Sequence, residues 1–238
     1  MGMPVSICIV GGRSVERAIE AVYDLFEAVD ARFSVYKPTS EVSRINDGLP
    51  KRAWSDEMRT VLALCERTKR ETNGYFDVYY QGKLDPSGLV KGWAIRRAAQ
   101  LLEARGHRNF YLDAGGDIEA RGHNVGGEPW RVGIRNPFNR DEIIKVLALS
   151  DKGVATSGAY IRGDHIYNPL VPGAVPRSIA SVTVIGPDAY DADRFATAAY
   201  VMGMKGPGFV ESRPGLEAYV VGQDGMATMT SNFKDYVA

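Results

Sequence analysis

Val15, Ala18, Ile19, Val22, Leu25, Phe26, Val29 and Phe33 recur at steps of three and four residues. That spacing lines up one apolar stripe on a helix, so the chain predicts a helix over Ser14–Phe33 with Ser14 as its N-cap. The preceding residues, MGMPVSICIV, predict a strand. The stretch FSVYKPTSEVSRIND (33–47) is polar and turn-rich. A second helix is expected from the cap Ser55, with Asp56 and Glu57 in its first turn and Met58, Val61, Leu62 and Cys65 on its inner face. Asn73-Gly74 supplies its stop. A third helix is expected over Val90–Arg105, closed by Gly106. From there the pattern changes to short runs with period two. Phe110–Asp113, Trp130–Ile134, Ile143–Leu149, Ser181–Ile185 and Leu216–Val221 predict strands, interrupted by helices over Asp191–Met202 and near Pro207–Ser212. Helices cluster early and strands late, which favours an α+β fold over a regular βαβ repeat. The 238 residues show no repeat or linker and are expected to form a single unit, 1–238.

Composition narrows the function classes. Charged residues make up 24% and hydrophobic ones 45%, as in ordinary globular proteins. A formal net charge of zero gives no electrostatic case for nucleic acid or an anionic membrane surface. No apolar run approaches the roughly 20 residues needed to span a bilayer, so no membrane insertion is expected. Cys8 and Cys65 are isolated and form neither a disulfide framework nor a zinc pattern. The first residues lack the features of a secretory signal, and the expected location is cytoplasmic.

Four segments carry candidate chemistry. LDPSGLVKGWA (84–94) has the ingredients of a phosphate loop, yet Lys91 precedes Gly92 and Asp85 opens the segment, so the Walker pattern fails. In DADRFATAAYVMG (191–203), Asp193 and Thr197 lie four apart and share one side of a helix. A carboxylate and a hydroxyl are hard oxygen ligands that suit Mg²⁺ or Ca²⁺, and the alternative is an ordinary helix start with acids placed for its dipole. DAGGD (113–117) suits close backbone approach to a ligand or a plain tight turn. GVATSGAY (153–160) is a run of small and hydroxyl residues whose N–H groups suit phosphate oxygens. His165 sits among polar neighbours and reads either as an accessible base or as a satisfied core histidine. Tyr36, Tyr75, Phe76, Trp93 and Tyr167 fall at segment edges, where they are either packing residues or stacking partners for a flat ring. DGMAT (224–228) reads as a hairpin turn.

Taken in order, these blocks resemble the FAD:protein FMN transferases, the ApbE family, along nearly the whole chain. The matching segments are MGM (1–3), FSVYKPTSEVSRIN (33–46), GYFDV (74–78), LDPSGLVKGWA (84–94), DAGGDI (113–118), WRVGIRNP (130–137), VATSGAY (154–160), HIYNP (165–169) and ADRFATAAYVMG (192–203). The resemblance implies an ApbE-like, T-fold-like architecture of antiparallel sheets packed with helices. It implies that Met1, Tyr36, Tyr75, Phe76, Asp77, Asp85, Lys91 and Tyr167 line the site for FAD. The metal ligands it implies are Asp193 and Thr197, a carbonyl at Gly88 and the adjoining Ala196. His165 matches a family histidine proposed for proton transfer, and Lys91 and Asp117 complete the catalytic group.

The implied reaction is Mg²⁺-dependent transfer of FMN from FAD to a threonine hydroxyl of a target flavoprotein, with release of AMP. Hydrolysis of FAD to FMN and AMP, or FAD binding without turnover, are the alternatives. Two departures from the family pattern stand out. Asp77 and Asp85 are eight positions apart where many members carry a long insertion, and Asn168-Pro169 replaces the usual Asp-Pro.

Overall fold

One helix organises the structure, a computed structural model that describes residues 3–158, 166–171 and 173–238. Helix α4 (Ser87–Ala104) buries Leu89, Val90, Gly92, Trp93, Ala94, Ile95, Ala98, Ala99 and Leu102, so its apolar surface wraps most of its circumference. Such a helix needs partners on several sides. It finds them in α1 (Val15–Phe33), α3 (Asp56–Glu71), α5 (Ala189–Met202) and the sheet beneath.

That sheet is built from β1 (Val5–Ile9), β4 (Phe110–Ala114), β5 (Asp117–Arg121), β8 (Lys152–Gly158), β9 (Ile179–Gly186), β10 (Glu217–Gly222) and β11 (Ala227–Met229). Its seven strands lie in the order β1-β4-β5-β8-β9-β10-β11, every neighbouring pair antiparallel. Two separate hairpins complete the strands. One joins β2 (Tyr79–Tyr80) to β3 (Lys83–Leu84), and the other joins β6 (Trp130–Arg135) to β7 (Ile143–Leu149). The result is three layers: helices, sheet and hairpin.

Period-two alternation assigns the two sheet faces to different cores. Phe110, Leu112 and Ala114 face the helices with Val22, Phe26 and Trp93, and Val182, Val184, Ala218 and Val220 continue that face under α5 and α6 (Gly206–Glu211). The opposite face offers Ile118, Val154, Ile185, Tyr219 and Val221, which are covered by Trp130, Val132, Ile134, Leu147 and Leu149 of the β6–β7 hairpin and by Phe233. Trp130 locks this cover with an indole N–H donated to the Arg121 carbonyl at 2.9 Å.

The α+β expectation holds, and most elements fall where the pattern puts them. Four details differ. Ser14 precedes α1, but it sits at φ 56° and its side chain makes no capping bond. Helix α4 begins three residues earlier than expected, because Asp85 Oδ1 accepts the Ser87 N–H at 3.0 Å and caps the turn from outside. The polar stretch after Phe33 contains a short helix, α2 (Glu41–Asn46), started by Ser40 accepting from Ser43 N–H. Strands β5 and β8 have no counterpart in the sequence pattern and lie in the middle of the sheet. Among the described residues, no helix is long and apolar enough to cross a membrane.

Candidate active site

The cleft lies at the amino-terminal half of α4, bordered by α5, the β5 and β8 strands and the segment around Tyr167. Its polar floor comes from three elements that meet at one lysine. Lys91 Nζ lies 2.6 Å from Asp117 Oδ2 on β5 and 3.7 Å from Asp193 Oδ1 on α5. Asp193 is itself fixed, since its other oxygen accepts the Gly92 N–H at 2.8 Å. In a regular helix that amide points at the carbonyl of residue 88. The helix backbone at Gly88–Gly92 therefore faces Asp193 and Thr197 directly.

Gly92 makes this meeting possible. A Cβ there would lie 2.5 Å from the Ala189 carbonyl oxygen and 2.7 Å from the Asp193 Cβ. Only glycine lets the two helices approach closely enough for a main-chain amide to reach the carboxylate. Four residues earlier, Gly88 faces the same helix: a Cβ would stand 3.6 Å from Thr197 Cγ2 and 3.9 Å from Thr197 Oγ1.

Strand β5 enters through a two-residue turn. Ala114 and Asp117 pair across Gly115 and Gly116, both at positive φ (64° and 91°), which is what a type I′ hairpin needs. DAGGD is thus a tight turn as well as part of the cleft. The turn puts its acids on opposite faces of the sheet. Asp117 is 1% exposed and turned toward the helices, while Asp113 accepts the Gly116 N–H at 2.8 Å on the other side.

Burial dominates the electrostatics of Asp117. It raises the carboxyl from 3.8 to about 7, with the Asp193 charge adding to the rise and Lys91 opposing it. Burial likewise raises Glu119 on the same strand from 4.5 to about 7, against the pull of Arg121. A carboxyl with a raised folded-state pKa binds more protons folded than unfolded, so stability falls as pH rises through the window between those values. The apoprotein is therefore expected to lose stability as pH rises between about 5 and 7. Asp30 and Glu71, lowered by their lysine and arginine partners, are already ionised in that window. Urea melts across pH 5–7 check this, and a slope in Asp117→Asn equal to the parent's would exclude Asp117 as a source.

Aromatic side chains form the walls. Tyr75, Phe76 and Tyr167 line the cleft with Asp77 and Asp85. Tyr167 stacks on Tyr80 with ring centroids 4.0 Å apart and donates its hydroxyl to the Asp77 carbonyl. Asp77 is paired with Lys69 at 2.6 Å. A second hollow opens beside the cleft, sharing Asp85, Ile166 and Tyr167 with it, and Tyr36 stands on its rim, 91% exposed.

Lys91, Asp117, Asp193, Thr197, Gly88, Tyr75, Phe76, Asp77, Asp85 and Tyr167 are thus brought to one cleft. Ala196 is not on its surface; the whole residue is buried in the core beneath α5. Met1 and His165 lie outside the described residues. Sequence reasoning missed Ser87, Pro169 and Glu119, and it read Thr156 and Ser157 as part of a small-residue run instead of a strand edge of the cleft.

The side-chain donors that meet beside Gly88 are both oxygen, the Asp193 carboxylate and the Thr197 hydroxyl. Among the described residues no group of three His, Cys, Asp or Glu side chains is placed to hold a metal alone. Such a partial set suits a hard cation that completes its shell with water and phosphate oxygens, and suits zinc poorly.

An antiparallel sheet backed by helices, with a lysine and two buried acids at the floor of an aromatic-walled cleft, defines the protein as an α+β fold with a polar site between its helices and sheet. The ApbE family model matches residues 1–82 and 79–220, and the chain belongs to that family. The FAD:protein FMN transferase of Salmonella typhimurium is 30% identical over 166 residues, which cover 65% of this chain and 47% of that protein. The chain thus spans about half the length of that curated relative. The Haemophilus influenzae FAD:protein FMN transferase is 24% identical, with 87% of this chain and 78% of that protein covered. Among solved structures, the ApbE protein of Thermotoga maritima superposes with a TM-score of 0.88 at 24% identity, covering 100% of this chain and 96% of that one. The flavin transferase ApbE of Vibrio cholerae gives 0.86 at 24% identity, with 99% and 96% covered. These likenesses establish the fold.

Proposed function

We propose that this chain is a Mg²⁺-dependent FAD:protein FMN transferase acting on a threonine hydroxyl of a target flavoprotein. The observation that carries the reading is the meeting of Lys91, Asp117, Asp193 and Thr197 at one point of the cleft, in a member of a family whose relatives bear that name.

Asp193 and Thr197, with a carbonyl at Gly88, would hold the cation, with Ala196 adjoining them on the family pattern. When bound, Mg²⁺ offsets pyrophosphate charge and so makes the phosphorus open to attack. Lys91 supports the same charge from the helix, and its bond to Asp117 keeps the ammonium aimed into the cleft. Tyr36, Tyr75, Phe76 and Tyr167 hold the rings of FAD, and Asp77 and Asp85 orient it, with Met1 adding to that wall on the family pattern. The acceptor threonine oxygen forms a bond to the phosphorus of the FMN half. The bond from that phosphorus to the bridging oxygen breaks, and AMP leaves with the electron pair. The hydroxyl proton passes to a base, for which His165, on the family pattern, and Asp117, whose raised pKa suits a proton acceptor near neutrality, are the two candidates.

The test is incubation of the protein with FAD and Mg²⁺, with and without a threonine-bearing flavoprotein target. AMP release that requires the target, together with a protein-bound FMN mass shift, is the expected result. Release with water alone would mark an FAD pyrophosphatase, and retention of intact FAD a binding protein; either would displace the transferase reading.

A further inference from the structure

Helix α5 carries Asp193 and Thr197, so the seat of its first turn decides where both oxygens point. Ala189 opens that turn, four residues before Asp193, and it is gripped from several sides. Its N–H donates to Glu119 Oε2 at 2.6 Å, with both residues fully buried. Its carbonyl oxygen lies 2.5 Å from where a Gly92 side chain would begin. Gly153 on β8 yields the space beneath: a Cβ there would stand 2.1 Å from the Ala189 nitrogen. Ordinary capping does not need Glu119, because Asp188 already serves as N-cap, accepting the Asp191 N–H at 2.9 Å.

Glu119 and Asp117 are two residues apart on β5 and share the face toward the helices. Each binds a different helix: Asp117 takes Lys91 of α4, and Glu119 takes the start of α5. A single strand therefore sets the spacing between the two helices that supply the floor of the cleft. The carboxylate of Glu119 is balanced on its other side by an ion pair with Arg121, which continues to Glu103 on α4 at 3.1 Å. An anion also suits the positive end of α5.

We propose that Glu119 is a positioning residue for the cation site, holding α5 at the depth that lets Asp193 and Thr197 serve as ligands together. The inference rests on the reading above that these two residues hold the metal. Glu119 itself reaches neither substrate nor cation.

The experiment uses Mn²⁺ as the probe, titrated by electron paramagnetic resonance in the presence of FAD, with FAD affinity in chelator and the melting temperature measured alongside. Glu119→Ala is expected to weaken Mn²⁺ binding by about tenfold or more while FAD affinity without metal changes by less than about twofold. Glu119→Gln keeps an oxygen for the Ala189 N–H and is expected to recover most of the loss. Parent-like Mn²⁺ affinity in a folded Glu119→Ala overturns the inference, as does a Gln variant no better than Ala. Should Glu119→Ala fail to fold, Glu119→Asp, whose shorter stem withdraws the acceptor, is expected to weaken Mn²⁺ binding in the same way, and parent-like affinity there overturns the inference equally. Asp193→Ala separates the two readings. If it binds Mn²⁺ like the parent, the metal site itself is wrong; if it loses Mn²⁺ and Glu119→Ala does not, only the positioning role falls.

Discussion

With the chain acting as the proposed transferase, Asp193→Ala is expected to lower FMN transfer by about a thousandfold, equivalent to roughly 4 kcal/mol of transition-state stabilisation. Two losses coincide in this variant. The cleft loses the carboxylate oxygen that lies 3.7 Å from Lys91 Nζ, and the Gly92 N–H loses its acceptor. Asp193→Asn separates them, because an amide oxygen still accepts from Gly92 while the charge is gone. The Asn variant is expected to melt close to the parent yet remain as inactive as Ala. Steady-state rates at limiting Mg²⁺ decide the matter, and full activity in either variant would remove Asp193 from the proposed metal site.

Gly92→Ala gives the second large effect, and its sign is opposite to what helix propensity suggests. Replacing a mid-helix glycine by alanine ordinarily gains about 1 kcal/mol. Here the added methyl enters space held by the Ala189 carbonyl and the Asp193 Cβ, both under 3 Å away. Neither obstacle is a flexible side-chain tip, so α4 and α5 must separate. Overpacking of this kind typically costs about 1–3 kcal/mol, and the upper end applies here because a backbone carbonyl blocks the methyl, which leaves a net loss of about 2 kcal/mol after the propensity gain. A fall in melting temperature of roughly 4–8 °C is expected, in line with a net loss of about 2 kcal/mol for a chain of this size. Turnover falls with it, because the gap opens between Lys91 and Asp193. A variant that melts at or above the parent temperature contradicts the close approach.

How much was legible in advance follows from how each element meets water. Helices α1 and α3 sit at the surface of their layer, so their buried stripes of Val22, Phe26, Val29 and of Met58, Val61, Cys65 stood out against polar neighbours. Strands β5 and β8 were invisible for the opposite reason. β5 is only five residues long and follows a glycine turn, and it turns Asp117 and Glu119 inward where its alternation with Ile118 and Ala120 would place polar residues in solvent. β8 offers Gly153, Ala155 and Ser157 to the helices and shows no apolar alternation. Those are the strands that border the cleft, and the polar residues that hid them are the ones that hold α4 and α5. The site was legible only in pieces. Helical spacing joined Asp193 to Thr197, but nothing local joins Asp117 to Lys91 or Asp193 to Gly92. Only the order of blocks shared with a family linked them. Glu119 gave no signal at all, since an acid in a polar-looking stretch reads as solvent-exposed.

The grip of Asp193 on Gly92 spans 101 residues of chain. Synthesis at about 5–20 residues per second leaves α4 waiting roughly 5–20 s for its partner to emerge from the ribosome. During that interval the glycine notch and the apolar face around it have nothing to close against, and Lys91 has only one of its two acids. The cleft therefore stays incomplete until α5 has emerged and docked, and the last strands of the sheet, β10 and β11, follow α5 in the chain. Ligand binding then reports on the whole fold, because a ligand that recognises only the finished cleft stabilises every element needed to build it.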